Sequence, residues 1–408
     1  MVQKTFAVNC RMFIKYRILF FILITMNIAI PGMAQFRTYS NEFLNIGAGA
    51  RGLAMGGAQV ASAEDGNAGY WNPAGLANVY AAPSVSLMTA NYFAGIGSYQ
   101  YASAAIPTSS GFSTIGLSFL RFAVDDIPNT LFLVQPDGSL NYNNIQSFSS
   151  ADYAFLLSYA QVIKDDEAGV MSWGANTKII HRSVGSFARS WGFGFDGGFL
   201  YRKPRWRFGI AARDITTTFN AWSFSFTDAE KEVLYLTNND VPVKSTELTA
   251  PRLVPSVGYN FKFGDKFHLL AEADFDMTFD GKRNTLISSN PISIDPKLGI
   301  EANINNVVFV RAGVSNFQQG LADGDTLNQK RVWLFQPSLG AGFRAGNVSI
   351  DYAFSNLANQ SNPLYTNVIS LRVDLMPKGS LKKQGKGTAP QLPRPVKSKK
   401  QKGNYPIN

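Results

Sequence analysis

Hydrophobic and polar residues alternate with a period of two through much of the chain from 83 to 376. Between 267 and 276, for example, apolar residues at odd positions interleave with Glu272, Asp274 and Asp276. Because successive side chains of a strand point to opposite faces, such a segment predicts a strand with one apolar and one polar face. Fourteen segments show this pattern: 83–93, 96–106, 112–122, 151–163, 169–182, 190–202, 205–214, 252–263, 266–278, 294–304, 306–316, 331–344, 347–355 and 365–376.

Most of these predicted strands have ten residues or more. Soluble strands average about five to six residues, whereas a tilted strand that crosses a bilayer needs about nine to eleven. Short turns also alternate with the long gaps 123–150, 215–251, 279–293 and 317–330, which is typical of a transmembrane barrel. A soluble β-sandwich would show the same alternation with shorter strands. The pattern therefore favours an all-β fold, a 14-stranded antiparallel transmembrane β-barrel over 81–376.

The amino terminus is typical of an exported protein. Four basic residues precede an apolar run from Ile18 to Ile30, and small residues follow up to Ala34. The run is shorter than the roughly twenty residues of a membrane helix, so 1–34 is predicted to be a secretory signal peptide cleaved near Ala34. An exported chain that is integral without an apolar helix must be a barrel, which predicts location in the outer membrane, in contact with its lipid.

The formal net charge of +10 comes from the two ends of the chain. The segment 1–34 has four Lys or Arg, the segment 377–408 has nine, and neither has an acidic residue. Subtracting these 13 from 38 leaves 25 basic against 28 acidic residues, a charge of −3 for 35–376. No nucleic-acid partner is expected, and 377–408 is predicted to be a basic disordered tail. Two interpretations of that tail stay open: a solvated extension, and contact with anionic lipid or peptidoglycan-associated partners.

A Gly- and Ala-rich segment precedes the barrel. Residues 41–77 lack the alternation of a strand, and their glycines allow close backbone approach and positive φ values. Asn72 and Pro73 predict a turn. The segment lacks a Gly-Lys-Ser/Thr ending and does not follow a parallel strand, which excludes a phosphate-binding loop. We predict that 35–80 forms a compact plug in the barrel lumen, here called the hatch.

The hatch sequence resembles that of a known family. The block from Asn45 to Ala77 is similar to the amino-terminal signature of the PorV/PorQ family of outer-membrane proteins, which is related to the FadL long-chain fatty-acid channels. The resemblance implies a fourteen-stranded barrel with an amino-terminal hatch and a role in the type IX secretion system. It implies as partners the translocon, the attachment complex and substrates with C-terminal signal domains. The residues that carry the resemblance are Asn45, Gly47, Gly49, Ala50, Arg51, Met55, Gly56, Gly57, Asp65, Tyr70, Trp71, Asn72, Pro73 and Gly75.

The sequence does not indicate an enzyme. It has two histidines, His181 and His268, and no spacing typical of metal ligands, of paired histidines or of a nucleophile elbow. We therefore predict no catalytic site, no metal and no cofactor. The acidic residues Glu272, Asp274 and Asp276 are expected to form a lumen-facing polar ladder that keeps the barrel hydrated. The expected partners of this ladder are Arg207, Arg311 or Arg372.

The gap 215–251 carries aromatic residues outside the predicted strands, among them Trp222, Phe224, Phe226 and Tyr235. Aromatic residues are favoured where proteins bind each other, which fits a partner-binding loop of a type IX secretion component at the cell surface. The same residues are suited to the mouth of a pocket in a FadL-like channel for hydrophobic small molecules. A structural barrel without transport is a third interpretation. The family resemblance favours secretion, with the channel as the alternative.

Overall fold

The computed structural model describes residues 40–79, 82–109, 111–135, 137–242, 245–321, 331–355 and 366–375. The predicted signal peptide, residues 35–39 of the hatch and the predicted basic tail lie outside the described residues. Seventeen strands of the described part form one sheet. They are β1 (Ser84–Tyr92), β2 (Gly97–Pro107), β3 (Ser113–Asn129), β4 (Gln146–Asp166), β5 (Gly169–Val184), β6 (Ala188–Arg202), β7 (Trp206–Arg213), β8 (Thr218–Phe224), β9 (Ser245–Thr249), β10 (Arg252–Phe263), β11 (Phe267–Thr278), β12 (Ile287–Ser288), β13 (Ser293–Ile304), β14 (Val308–Leu321), β15 (Arg331–Ala345), β16 (Val348–Ser355) and β17 (Thr366–Asp374).

The sheet closes on itself, because β17 pairs with β1 and places Leu371 opposite Leu87. β7 and β8 together form one wall strand, since both pair with β6, and β9 and β10 together form the next. β12 is a two-residue pairing within a loop. When β7 with β8 and β9 with β10 each count as one strand and β12 is left out, the seventeen strands become fourteen wall strands, all paired antiparallel. The predicted 14-stranded antiparallel barrel is therefore confirmed.

The gap 215–251 was predicted as a loop, and this prediction is wrong for much of its length. The wall continues beyond Arg213 after an interruption at 214–217, where Asp214 and Thr217 have positive φ. Buried Lys178 stabilises the interruption, because its ammonium group forms ion pairs with both Asp196 and Asp214. The interruption breaks the alternation of apolar and polar residues over four residues. For this reason the alternation does not predict β8.

The gap 123–150 was likewise predicted too long. β3 continues to Asn129 and β4 already begins at Gln146, so the loop covers 130–145. A bulge separates the paired residues Val124 and Ile127 of β3. Because a bulge shifts which side chains face the lumen, the alternation used to end the predicted strand stops before the pairing does.

Side chains on the wall alternate between the lumen and the outside. On β3 Leu117 is 50% exposed, whereas the next residue, Ser118, is buried. Burying apolar surface away from water is worth roughly 25 cal/mol per Å², so such a surface belongs in hydrocarbon rather than water. This outer apolar face therefore forms a transmembrane belt. Further exposed members of the belt are Leu87, Ile106, Phe155, Leu157, Ile179, Phe193, Phe208, Leu298, Val310, Leu339, Ile350 and Ile369.

The two ends of the barrel differ. At one end, here called the short-turn end, tight turns join β6 to β7, β10 to β11 and β15 to β16, and β1 begins beside the last residue of β17. The opposite, long-loop end carries the loop 130–145 and the connection between β8 and β9. Short periplasmic turns and longer outer loops are the usual arrangement of bacterial barrels.

Short helices lie inside the hatch and in the loops. The α-helices are α1 (Ala50–Ala54), α2 (Ala68–Trp71) and α3 (Asp228–Leu236), and the 3-10 helices are Glu42–Asn45, Pro73–Asn78, Phe93–Gly95 and Tyr142–Asn144. α3 begins at a capping box, in which Thr227 and Glu230 each satisfy the other's backbone N–H. No helix of the described residues has the length and apolar character needed to cross a membrane.

The belt can be tested by placing a charge on it. Leu117→Arg should destabilise the barrel by about 2–4 kcal/mol, because a guanidinium group would then face the hydrocarbon. Leu140→Arg is the matched control, since Leu140 has a similar exposure of 56% but lies in the loop 130–145. Urea unfolding in lipid vesicles measures both. Equal loss of stability in the two variants would contradict the belt.

Candidate functional site

The hatch occupies the barrel lumen, and most of its described residues are buried. Its fold depends on a turn at the start of the 3-10 helix Pro73–Asn78. The side chain of Asn72 accepts a hydrogen bond from the backbone N–H of Ala74, and Pro73 is the first residue of the helix. Proline suits this position because it has no N–H to satisfy and its φ is already helical. The Asn72 amide also donates to the backbone oxygens of Val60 and Phe199, the second of which belongs to the wall.

Two adjacent aromatic residues form the centre of the hatch. Tyr70 and Trp71 meet edge to face with ring centroids 5.0 Å apart. The Trp71 indole N–H donates to the Ala48 oxygen at 2.7 Å, and the Tyr70 hydroxyl donates to the Leu44 oxygen at 2.6 Å. The same hydroxyl accepts a hydrogen bond from the Gly47 N–H. Both polar tips are thus bound to hatch backbone, so these residues stabilise the hatch rather than presenting groups to a ligand.

Glycines of the wall admit the hatch backbone. A Cβ atom at Gly313 would lie 2.1 Å from the carbonyl carbon of Met55, and one at Gly299 would lie 2.6 Å from the Met55 oxygen. A Cβ atom at Gly174 would lie 2.4 Å from the carbonyl carbon of Pro73. Only a residue without a side chain fits at these lumen-facing positions. A similar approach of hatch backbone occurs at Gly209, whereas Gly198 leaves room for the side chains of Asn72 and Pro73.

An ion-pair network holds the first helix of the hatch to the wall. The Arg51 guanidinium donates to both oxygens of Glu301 on β13, at 2.8 and 3.0 Å. Arg311 on β14 donates to the same carboxylate at 2.6 Å and to Asp351 at 2.7 Å. A bidentate, charge-assisted pair of this kind is stronger than a neutral hydrogen bond. The sequence resemblance singled out Arg51 but gave no indication of its partner.

The acidic ladder on β11 has another role than predicted. One oxygen of Asp274 accepts the backbone N–H groups of Gln59 and Val60, at 2.9 and 3.0 Å. Glu272 accepts the N–H of Ala61 at 2.7 Å. These carboxylates thus receive backbone donors of the hatch that have no helix or strand partner. The predicted hydrated ladder is wrong here, because the hatch fills the space in front of it.

The arginines expected beside the ladder bind elsewhere. Arg207 donates to Glu64 of the hatch at 2.8 Å, and Arg372 donates to Asp65 at 3.3 Å. Arg202 also contacts Glu64, at 3.1 Å. Burial raises the pKa of the Glu64 carboxyl, but the positive charges of Arg207 and Arg202 outweigh burial and hold this pKa below its usual value. Asp276, the third member of the ladder, pairs instead with wall cations, Arg252 and Lys297.

On the opposite side the hatch meets an apolar wall. Apolar lumen-facing residues of β1–β4 and the hatch residues against them belong to one hydrophobic cluster, which also includes Ile180 of β5, Ala353 of β16 and Val368 of β17. The part of this cluster at β1–β4 is here called the apolar seam. In the part of the chain that the structure describes, no ion pair joins the hatch to β1–β4. The neutral hydrogen bonds there include that from Thr114 to the Val79 oxygen at 3.0 Å. Buried members of the seam are Tyr70, Leu76, Met88, Tyr99, Tyr101, Leu120 and Leu156.

Aromatic residues line the long-loop end of the lumen. Thr218 and Asn220 of β8 face the lumen and are fully buried, so Trp222 and Phe224, which follow at intervals of two, share that face. Phe226 stacks on Phe187, with ring centroids 5.9 Å apart. Three of the four aromatic residues predicted as a partner-binding loop are thus half-buried at the mouth of the barrel. We call Phe148, Phe187, Trp222, Phe224 and Phe226 the aromatic mouth.

Tyr235 differs from the other three. It lies near the end of α3 and is 82% exposed. The sequence analysis grouped these residues because they are close in sequence. It missed Phe148 of β4 and Phe187 of the turn between β5 and β6, whose rings meet edge to face with centroids 5.2 Å apart. No signal in the sequence distinguishes these two from the belt aromatics.

The first described residues of the hatch lie beneath the aromatic mouth. Asn220 on β8 donates to the Ser40 hydroxyl and to the Asn41 side chain, both at 2.7 Å. The Ser40 hydroxyl in turn donates to Glu247 on β9. The Arg182 guanidinium lies 5.1 Å above the Trp222 ring, which is a cation–π contact. The mouth therefore has an aromatic wall with a polar floor on the β8 and β9 side.

The motif residues predicted from the resemblance all lie in the hatch and are brought together there. Asn45 contacts Arg252, Ala50 donates its N–H to Ser370, and Gly75 lies too close to the Ala63 oxygen to carry a side chain. Gly47, Gly49, Gly56 and Gly57 have positive φ. The motif thus describes how the hatch folds and fits the wall, and no ligand-binding group of its own stands out.

The Arg51–Glu301 pair generates a prediction about closure. Removing one partner of a buried pair costs about 3–5 kcal/mol, so Arg51→Met should release α1 from the wall while leaving the barrel folded. Entry of vancomycin, a large hydrophilic antibiotic, should rise in cells that carry this variant. Lys231→Met is the control, because its ion pair with Asp228 lies on exposed α3. Unchanged vancomycin entry would show that the pair does not hold the hatch closed.

The pKa of Glu64 generates a prediction about pH. Since the folded-state pKa lies below the usual 4.5, the contacts of Glu64 stabilise the hatch above about pH 4.5 and are lost as pH falls through the folded-state pKa. Hydrogen-exchange protection of the amides at 60–66 should be lower in Glu64→Gln than in the native protein at pH 7. The two should converge in acid. Glu42→Gln, at an exposed hatch carboxylate, should leave this protection unchanged at pH 7 and in acid. A difference between Glu64→Gln and the native protein that persists in acid would refute the stabilising role of the Glu64 charge.

The fold is shared with solved channel structures. No protein-family model matches the sequence, and no curated protein is significantly similar to it. The structure is similar to the CymD monoaromatic hydrocarbon channel, with a TM-score of 0.52 and 14% identity over 81% of this chain and 98% of that one. It is also similar to the Ralstonia pickettii toluene transporter TbuX, with a TM-score of 0.50 and 13% identity over 80% of this chain and 98% of that one. The chain thus has the fold of these barrel transporters, whereas membership of the PorV/PorQ family stays a prediction.

Proposed function

We propose that this protein is an outer-membrane channel that admits hydrophobic small molecules, and that the hatch is the element that opens. The observation that carries the proposal is the aromatic mouth. Trp222 and Phe224 turn into the lumen at the long-loop end, with Phe226 half-buried close by, where a solute from outside would first meet the protein. Pockets that bind apolar ligands are lined mainly by aromatic and hydrophobic residues with a few polar groups.

Two further features support a channel over a purely structural barrel. The apolar seam is apolar surface inside the lumen, where barrels that pass hydrophilic solutes are polar. The fold is also that of a hydrocarbon channel and a toluene transporter, as these proteins are described. A solute of the same chemical class, a small aromatic or aliphatic hydrocarbon, therefore suits this lumen.

Uptake of radiolabelled toluene tests the proposal. Gram-negative cells without their own hydrocarbon channel should take up toluene faster when they carry this protein than when they carry an empty vector. Trp222→Ala with Phe224→Ala should reduce that uptake, because two apolar contacts at the mouth are lost. Tyr235→Ala with Leu236→Ala is the matched control, since both side chains are largely exposed on α3. Native protein that gives no uptake above the empty vector would sink the proposal.

A second candidate is the type IX secretion role implied by the family resemblance. The observation that favours it is on α3, where Tyr235 is 82% and Leu236 is 74% exposed. Exposed apolar residues on an outer helix suit contact with a protein, such as the attachment complex or a substrate with a C-terminal signal domain. The location of the protein in the outer membrane is common to both candidates.

The same two double variants separate the candidates. Under the secretion role, Tyr235→Ala with Leu236→Ala should lower the recovery of partner chains that co-purify with the tagged protein from native membranes. The mouth variant should then leave recovery intact. Equal recovery with both variants, or no partner with the native protein, would remove the support for this candidate.

A further inference from the structure

We infer that the hydrophobic solute passes along the apolar seam, between the hatch and strands β1–β4, while the hatch stays attached to the opposite wall. This inference rests on the proposed channel function and names its route. It assigns the solute-contacting role to residues such as Tyr99, Leu120 and Leu156.

The seam reaches both ends of the lumen. Near the long-loop end, Tyr92 meets Tyr99 edge to face with centroids 6.1 Å apart, and the half-buried Phe122 packs on Tyr99. At the short-turn end, Val79 is a buried member and Phe112 a half-buried one. A solute that follows the seam therefore remains in contact with apolar side chains from one end of the barrel to the other.

The attachment of the hatch is unequal around its circumference. Its four ion pairs within the described residues go to Glu301, Arg202, Arg207 and Arg372, all on β6–β17. The contacts to β1–β4 are apolar or neutral. Neutral hydrogen bonds contribute about half as much as those between charged groups. Parting the hatch from β1–β4 thus breaks none of these four ion pairs.

The seam also contains polar groups that gain nothing from its closed form. The hydroxyls of Tyr99, Ser86 and Ser158 are buried and form no hydrogen bond to other described residues. A buried group without a partner costs roughly 1–3 kcal/mol. Water that enters as the seam opens would relieve that cost at these three hydroxyls; unpartnered atoms also occur at the opposite side, at Gln59, Ser62 and Glu272.

Parts of the other sides of the lumen are closed by backbone. At Gly174, Gly299 and Gly313 the hatch backbone lies directly against the wall backbone. A solute could pass there only if these contacts and the neighbouring hydrogen bonds to Asp274 and Glu272 were broken together. The geometry thus leaves the seam as the route that disturbs the hatch least.

A reversible disulfide across the seam tests the inference. A Cβ at Gly66 of the hatch would lie 3.6 Å from the Cβ of Ser103 on β2, within the range of about 3.5–4.5 Å for disulfides. The native sequence has one cysteine, Cys10, in the predicted signal peptide, so Gly66→Cys with Ser103→Cys can form a defined bond. In the oxidised double variant, toluene uptake should fall to the level of the empty vector. Reduction should restore it, and each single variant should import in both states.

The outcomes are distinguishable. If the oxidised double variant imports toluene as fast as its single-cysteine parents, the seam is not the route and the channel function stands. If neither the native protein nor the reduced double variant imports toluene, the channel function itself fails.

A second pair of variants covers failure of the disulfide variant to fold. Leu156→Asn puts a polar group of similar size into the seam, and Val254→Asn does so on the lumen face of β10. Uptake should fall with Leu156→Asn alone. Equal uptake by the two, with both barrels folded, would overturn the inference.

Discussion

The requirement that every backbone N–H and C=O in hydrocarbon find a partner determines this architecture. In a sheet, closure alone removes unpaired edges, and the pairing of β1 with β17 provides it. A closed wall of fourteen strands encloses more space than its own side chains fill. The chain fills this remaining space with its own amino-terminal segment.

A segment without regular strands inside a barrel meets the same requirement again. The hatch satisfies its backbone in three ways: through short helices, through its own side chains such as Asn72 and Tyr70, and through wall carboxylates. Asp274 shows the last way most directly, since one oxygen binds two successive backbone N–H groups. Ion pairs with Glu301, Arg202, Arg207 and Arg372 hold the hatch to one part of the wall, whereas its contacts with β1–β4 are apolar or neutral. The difference gives the lumen a preferred side for opening.

The fold was largely predictable from the sequence because its main signal is local. Period two identified all fourteen wall strands, and strand length distinguished a membrane barrel from a sandwich. The failures occur where alternation is interrupted, at the bulge after Val124 and at 214–217. There, pairing is maintained by distant groups such as Lys178, whose carboxylate partners cannot be read from neighbouring residues.

The candidate site was less predictable because its contacts join residues far apart in the chain. The motif identified Arg51, but its partner Glu301 is 250 residues away. The alternation along β11 correctly assigned its acidic residues to the lumen. Their role could not be predicted, because it depends on which segment fills the lumen. The lumen-facing position of Trp222 was missed because β8, the strand that carries it, was not predicted. Lumen-facing glycines such as Gly299 and Gly313 were an available signal, since glycine in a strand often marks close backbone approach.

Those glycines have a consequence for how the protein can change over time. Each one leaves room for a particular stretch of hatch backbone, Gly313 for Met55 and Gly174 for Pro73. A hatch taken from a relative with a different backbone path would leave voids at some of these positions and collide at others. Hatch and wall therefore cannot be exchanged as separate modules, and substitutions in one are tolerated only when the other changes with it.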